Sequence, residues 1–378
     1  MATLHTIIEI VGSVLLFFLV LGMSATVDIG CLSAQIKNRK AIVSGMFLQF
    51  VVLPFLGFVS VKALNMNPAM GITLLVVTSS PGGSYSNWWC SMFNADLALS
   101  VTLTGISTLV SIIMLPANLL LYVKMAYNAD VVKELDWLAI LKSLVIVLSA
   151  IGLGLLASAK YHSHSFNLNA NRLGNLAGIS LVIFSGILSN SDSDSQIWER
   201  HWKFYVGIAA PCFMALIASS ILTSIVGLLR PERITVSIES AYQNVGIATS
   251  VALSMFQGDE LAEAMGVPFF YGIASAVILF FYCLVAWKAG WTKAPRHVSL
   301  WKAITTSYEI KIVEKLENLE TIRKDPDIED FYYVQYADTM PDDALPENDN
   351  GFEIAVRRDH CATKKEPSEM ENNYFGCA

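Results

Sequence analysis

The stretch GITLLVVTSSPGGSYSN, residues 71–87, decides how this chain folds. It begins as an apolar run and then changes into serines, a proline and two glycines. Pro81 removes a backbone donor and clashes with the preceding helical turn, while Gly82 and Gly83 allow backbone conformations that other residues avoid. We therefore expect a helix that breaks across residues 79–83 and continues into a polar cluster.

A second polar interruption, ESAYQN at residues 239–244, lies between Ile234 and Val251 in another apolar stretch. An ionised carboxylate at the centre of a membrane helix costs about 3 kcal/mol on insertion scales and more in simulation, so it needs a partner. The predicted spans carry Lys only towards their ends, so no Lys or Arg is expected at membrane depth to pair with Glu239. The remaining candidates to balance its charge are a bound cation or, if the group titrates, a proton.

The composition places both interruptions in a membrane. The chain has 378 residues, of which 54% are hydrophobic and 15% are charged, and its mean hydropathy is +0.51. These values are too apolar for an ordinary soluble domain and indicate an all-α polytopic membrane protein. Unwound backbone and a carboxylate survive at membrane depth only where they line an enclosed or watery cavity, so the interruptions predict a binding site.

About nine transmembrane helices can be drawn, since roughly 20 apolar residues cross the hydrocarbon. They run near residues 5–26, 41–64, 69–92, 97–123, 137–159, 173–190, 203–229, 234–257 and 266–290. An odd number places the termini on opposite sides of the membrane. Lys and Arg concentrate in one set of loops, which predicts a cytoplasmic C-terminus and an outside N-terminus: Lys37, Arg39, Lys40, Lys160, Arg172, Arg230, Arg233, Lys288, Lys293, Arg296 and Lys302.

The sequence divides into a transmembrane transporter domain, residues 1–299, and an acidic cytoplasmic tail, residues 300–378. Residues 301–378 carry 9 basic and 18 acidic side chains, whereas the preceding part is nearly balanced. Apolar residues recur every three positions through residues 307–324, which predicts a short amphipathic helix on the inner membrane face or against the core. Beyond it, acidity and repeated prolines favour disorder.

Oxygen-bearing side chains accompany the interruptions. Ser86 and Asn87 follow the first break, and Ser100 and Thr104 lie four residues apart, so both project from one face of a helix. Such hydroxyls often bond only to their own helix, but hard cations favour oxygen ligands of this kind. Gln49, another polar residue at membrane depth, is a further candidate ligand.

At these residues the chain resembles the bile acid:sodium symporter family, in its animal nine-span form. The resemblance covers residues 1 to about 300 and is carried by Pro-Gly-Gly-x-x-Ser-Asn, residues 81–87, and Glu-x-x-x-Gln-Asn, residues 239–244. It implies a sodium-coupled symporter in the plasma membrane that imports an amphipathic organic anion, such as a bile acid or steroid sulfate, by alternating access. It also implies inverted repeats, with a panel domain packed on a core domain that contains two crossing discontinuous helices.

The resemblance further implies two sodium sites that share one carboxylate. The first would use Ser86, Asn87, Ser100, Thr104 and Glu239. The second would use Gln49, Glu239, Gln243 and main-chain oxygens near Ser240 and Tyr242. The expected substrate cavity is formed by Pro81, Gly82, Gly83, Ser84, Tyr85 and Asn244. Tyr85 and Tyr242 stand where the family usually has smaller residues, so the ligands for sodium are kept while the surroundings of the substrate change.

Other functions remain open at this point. The same fold can couple to protons through Glu239, or can carry a small organic acid. The chain can also be a non-transporting membrane sensor that signals through its acidic tail. An enzyme is not expected, because residues 152–154, Gly-Leu-Gly, lie inside an apolar span and lack the strand and third glycine of a dinucleotide site.

Overall fold

The fold is helical throughout the part of the chain that a computed structural model describes, residues 2–25, 35–83, 85–127, 137–161, 164–190 and 197–308. We number its α-helices α1 to α13. They are α1 (Ala2–Ser24), α2 (Arg39–Phe47), α3 (Leu53–Leu64), α4 (Pro68–Ser79), α5 (Ser86–Met92), α6 (Leu97–Ala126), α7 (Trp137–Lys160), α8 (His164–Ser189), α9 (Trp202–Val226), α10 (Arg230–Ala241), α11 (Val245–Met255), α12 (Gly258–Lys288) and α13 (Leu300–Thr305).

Six helical stretches are long and apolar enough to cross a membrane: Thr6–Ser24, Arg39–Leu64, Leu97–Ala126, Arg172–Ser189, Trp202–Val226 and Gly258–Lys288. Their outer faces carry bare apolar side chains, such as Ile113 at 72% exposure and Ile225 at 77%. Apolar surface of this extent is what a lipid environment covers. The prediction of an all-α, multi-pass membrane protein is confirmed.

Both predicted breaks occur. Helix α4 begins where Asn67 accepts a hydrogen bond from the Met70 backbone N–H across 2.9 Å, and it ends at Ser79. Ser80 is extended, as expected of a residue before proline, and α5 starts at Ser86. The second break separates α10 from α11, whose first turn is capped by the Asn244 side chain.

Gln49 lies in a π-helical turn, Leu48–Val52, that joins α2 and α3 into one membrane-length stretch. Such turns widen the helix by one residue and occur often at functional sites. Gln49 is 1% exposed. The turn therefore delivers a polar side chain to the interior.

Helix packing separates two groups. Helix α1 packs mainly against α7 and α8. The half-helices on either side of the two breaks, α4, α5, α10 and α11, form a second group with α6, α9 and α12. Helix α11 also contacts α1, and α8 contacts α12. The two breaks thus lie inside the bundle, between the groups.

The first residues of the predicted tail are docked on the loop between α5 and α6. Asn94 donates from Nδ2 to the Ala303 carbonyl across 2.8 Å, and its Oδ1 accepts from the Tyr308 backbone N–H across 2.8 Å. The Lys293 backbone N–H donates to the Asn94 carbonyl across 2.9 Å. Residues 309–378, which hold the acidic end and nearly all of the predicted amphipathic helix, lie outside the described residues.

Candidate functional site

The two helix breaks cross and bond to each other through their backbones. The Gly83 N–H donates to the Tyr242 carbonyl across 2.8 Å, and the Asn244 N–H donates to the Pro81 carbonyl across 2.9 Å. Gly82 and Gln243 face each other as an isolated antiparallel bridge. Backbone N–H and C=O groups that lose their helical hydrogen bonds are costly at membrane depth. Here some of the groups freed at each break form hydrogen bonds with groups of the other break.

The Glu239 carboxylate lies beside this crossing, 1% exposed. The Ser100 hydroxyl donates to its Oε1 atom, and the Thr104 hydroxyl donates to Oε2 across 2.9 Å. These contacts confirm that Ser100 and Thr104 project from one face of α6. Within the described part of the chain, no Lys or Arg forms an ion pair with Glu239.

Ser86 and Asn87, at the start of α5, join the same cluster. The Asn87 Oδ1 atom accepts from the Ser100 hydroxyl across 2.8 Å. The Ser86 hydroxyl donates to the Gly83 carbonyl across 2.7 Å and lies 3.4 Å from the Thr104 hydroxyl oxygen. All members of the first predicted sodium set are therefore brought together.

Acceptor oxygens outnumber protons in this cluster. The Ser100 hydroxyl is within hydrogen-bond distance of both Asn87 Oδ1 and Glu239 Oε1, and the Thr104 hydroxyl is within reach of Glu239 Oε2 and the Ser100 carbonyl. A hydroxyl carries one proton, so neither can donate to both acceptors at once. A small cation among these oxygens would supply the missing positive charge.

The second predicted set surrounds Gly82. A Cβ atom built on Gly82 would lie 2.6 Å from Glu239 Oε2 and 3.6 Å from Gln49 Nε2, so both side chains border this glycine, and Gln243 pairs with it across the bridge. Gln49 Nε2 and Gln243 Oε1 are buried without a hydrogen-bond partner. A buried acceptor without a donor, such as Gln243 Oε1, is rare and calls for an explanation, such as a missing ion. Gln49 Nε2 is a donor, so Gln49 would have to turn its Oε1 atom inward to bind a cation.

The main-chain oxygens of Ser240 and Tyr242 each already accept one hydrogen bond. The Gln243 amide donates to the Ser240 carbonyl across 2.8 Å, and Gly83 donates to the Tyr242 carbonyl. The Ser240 hydroxyl instead donates to the Val236 carbonyl of its own helix. Because a carbonyl oxygen has two lone pairs, both carbonyls retain capacity for a cation.

The donor set fits sodium. It consists of carboxylate, hydroxyl, amide and carbonyl oxygens, the ligands of hard cations. Searched over the described residues, the chain holds no cluster of three or more His, Cys, Asp or Glu side chains of the kind that binds transition metals.

Ser107 was not predicted. Its hydroxyl accepts from the Gly82 backbone N–H across 3.3 Å, and its side chain is fully buried. Ser107 follows Thr104 by three residues and Ser100 by seven, so the helical period placed it on the same face. This spacing was the signal that would have found it.

A cavity of about 210 Å³ adjoins the crossing. Of the predicted cavity residues, Gly83, Tyr85 and Asn244 line it, together with Leu19 of α1 and Gly178 of α8. Pro81 and Gly82 lie next to it, in the crossing itself. Ser84 lies outside the described residues.

The chain is similar in sequence to known sodium-dependent transporters. A model of the Sodium Bile acid symporter family matches residues 13–196. The ileal sodium/bile acid cotransporter of Homo sapiens is 26% identical over 290 residues, 75% of this chain and 81% of that protein. The hepatic sodium/bile acid cotransporter of Rattus norvegicus is 22% identical over 282 residues, 73% of this chain and 77% of the relative. The sodium-dependent organic anion transporter of Bos taurus is 20% identical over 283 residues, which cover 74% of this chain and 73% of that protein.

Proposed function

Because this chain is a relative of the sodium bile acid symporter family, as its sequence predicts, we propose that it couples the entry of sodium to the import of an organic anion. The relatives are transporters by name, which supports sodium coupling and an anionic cargo. The observation that carries the proposal is the buried Glu239 carboxylate, held among oxygens that lack enough protons.

We assign two sodium ions to the crossing. Ser86, Asn87, Ser100, Thr104 and Glu239 would bind the first. Gln49, Glu239, Gln243 and the carbonyls of Ser240 and Tyr242 would bind the second. Support for the second site comes from the buried Gln243 Oε1 atom, an acceptor without a hydrogen-bond partner. Both sites take ligands from more than one helix, so sodium would draw α5, α6 and α10 together.

Sodium entry supplies the energy in this scheme. Each sodium ion that crosses into a cell held at −100 mV contributes about 2.3 kcal/mol from the voltage alone. By linkage, sodium and the anion must raise each other's affinity by the same factor. The cavity that adjoins both breaks would hold the cargo near the proposed ions, which supports such coupling.

The architecture that accompanies this function has nine spans. The six long helical stretches would be joined by α7 and by two discontinuous spans, α4 with α5 and α10 with α11. We assign α1, α7 and α8 to a panel domain, because α1 packs mainly on the other two, and the remaining spans to a core with inverted repeats. Alternating access would move the panel against the core in a plasma membrane, with the N-terminus outside.

Proton coupling is the alternative that the site itself suggests, since Glu239 can titrate. The cluster of hydroxyl and amide oxygens favours sodium, because a proton requires none of them. Uptake of organic anions with sodium replaced by choline at constant pH separates the two. Undiminished uptake in choline would overturn sodium coupling, and uptake that vanishes in choline would overturn proton coupling.

A further inference from the structure

The cavity beside the crossing is small for the cargo that the relatives' names suggest. Its volume is about 210 Å³, whereas sites for drug-sized ligands span about 300–1,000 Å³. Its walls are formed by both helix breaks, by α1 and α8, and by Gly272, Ile273 and Ala276 of α12. Two tyrosines, one from each break, provide its largest side chains.

Tyr85 is fixed across the gap between the broken helix and α8. Its hydroxyl donates to the Asn175 carbonyl across 2.9 Å. Gly178 makes room for it, because a Cβ atom at that position would lie 2.9 Å from the Tyr85 hydroxyl oxygen. The ring therefore occupies space that a side chain on α8 would otherwise fill.

Tyr242 is fitted against the other break in the same manner. A Cβ atom built on Gly83 would lie 2.7 Å from Cδ1 and 2.8 Å from Cε1 of the Tyr242 ring. The ring thus packs directly on the backbone of the Pro-Gly-Gly segment. Each tyrosine is matched by a glycine on a different element, so neither ring can move aside into its neighbour.

We propose that Tyr85 and Tyr242 are specificity-determining residues that restrict the cargo to compact, single-ring organic anions and exclude the four-ring body of a steroid. This inference rests on the proposed transport function. The two rings and Leu19 and Ile273 suit an apolar body. Val245 and Gly246, at the N-terminus of α11, also line the cavity. The Val245 N–H already donates to the Gln243 carbonyl across 3.0 Å, but the positive end of the helix dipole at this position attracts a negative group.

Uptake of four labelled probes tests the proposal: phenyl sulfate and benzoate as compact anions, estrone sulfate and taurocholate as large ones. Phenyl sulfate and estrone sulfate carry the same head group, so their ratio reports the size of the body. We expect wild-type protein to take up the compact probes in sodium. Tyr85→Ala and Tyr242→Ala should raise the ratio of estrone sulfate to phenyl sulfate uptake by about tenfold or more, as pocket enlargement does elsewhere.

Two further variants distinguish an effect of cavity size from general damage to the fold. Tyr85→Phe keeps the ring and loses only the bond to Asn175, so it should retain the wild-type ratio. Tyr282→Ala removes a tyrosine of α12 whose hydroxyl lies near Ser220 and which is not part of the cavity wall, so it serves as the matched control. All rates are divided by the amount of protein in the membrane.

The outcomes are distinct. Wild-type uptake of taurocholate or estrone sulfate that equals uptake of the compact probes would overturn the inference and leave the proposed function standing. Unchanged ratios in both alanine variants would do the same. Absence of sodium-dependent uptake of every probe would contradict the proposed function, and the inference with it.

Discussion

The Thr104 hydroxyl donates a hydrogen bond to Oε2 of Glu239 across 2.9 Å and so joins α6 to the half-helix α10. Ser100, one turn earlier on α6, donates to the other carboxylate oxygen. Both donors come from a helix that is continuous through the membrane, and the acceptor comes from one that is broken. In the described part of the chain, the hydrogen bonds to the Glu239 carboxylate come from hydroxyl groups, which is also how a protein would leave room for a cation.

Glu239→Gln should abolish sodium-dependent uptake, because it keeps the shape of the side chain and one acceptor oxygen but removes the charge shared by both proposed ions. We expect a loss of at least about tenfold, equivalent to about 1.4 kcal/mol. Glu260→Gln, an exposed position at the start of α12, is the matched control. Sodium-dependent uptake by Glu239→Gln at the wild-type level would contradict both sodium sites.

Thr104→Val should raise the sodium concentration that gives half-maximal uptake. The substitution preserves volume but removes one bond to a charged group, and such bonds contribute about 1.5–3 kcal/mol. Thr102→Val is the control, since Thr102 lies on the same helix, is equally buried, and donates only to the Ala98 carbonyl. Sodium titrations of uptake compare the two, and equal shifts would argue that the effect is general damage to α6.

Gln49→Leu should lower the cooperativity of sodium activation. It removes the unpartnered amide of the proposed second site and leaves the hydroxyls of the first site in place. We expect a Hill coefficient above one for the wild type and close to one for the variant. Gln257→Leu, at an exposed position before α12, controls for the loss of an amide. A Hill coefficient that does not change would remove Gln49 from the sodium ligands.

Gly82→Ala should stop transport by steric means. The added methyl group would lie 2.6 Å from Glu239 Oε2, closer than non-bonded atoms allow, and would displace the carboxylate. Gly152→Ala, on α7, is the control, because a methyl group there meets no atom within 4 Å. Uptake per transporter in the membrane is the measurement. Normal uptake by Gly82→Ala would show that the carboxylate position is not critical.

The helix breaks and the face shared by Ser100 and Thr104 could be predicted because they depend on local chemistry. A proline followed by two glycines, as at Pro81, disfavours the continuation of a helix, and residues four apart share a face in any helix. The match to the family model and the similarity to the relatives confirm the family resemblance. That resemblance led to the prediction that both breaks contribute to one site. The assignment of individual ligands stays a prediction.

Other features depend on residues far apart in the chain. The π turn that directs Gln49 inward has no clear local signature. The Tyr85 hydroxyl meets the carbonyl of Asn175, 90 residues later, and only packing brings the two together. The walls of the cavity likewise depend on the contacts of Gly178 of α8 with Tyr85 and of Gly83 with Tyr242, which no single stretch of sequence reveals.

Removal of the acidic end of the tail, residues 325–378, should leave transport intact. Deletion of residues 325–378 spares every residue of the site and the segment that docks on Asn94, so we expect uptake per transporter to equal the wild type. Deletion from residue 300 onward also removes Ala303 and Tyr308, the partners of the Asn94 side chain, and should lower uptake because α5, which carries Ser86 and Asn87, loses that support at its far end. Initial rates of sodium-dependent uptake compare the two deletions. If uptake were undetectable even in the intact chain, while deletion of residues 325–378 abolished a signalling response, the sensor hypothesis would be favoured over transport.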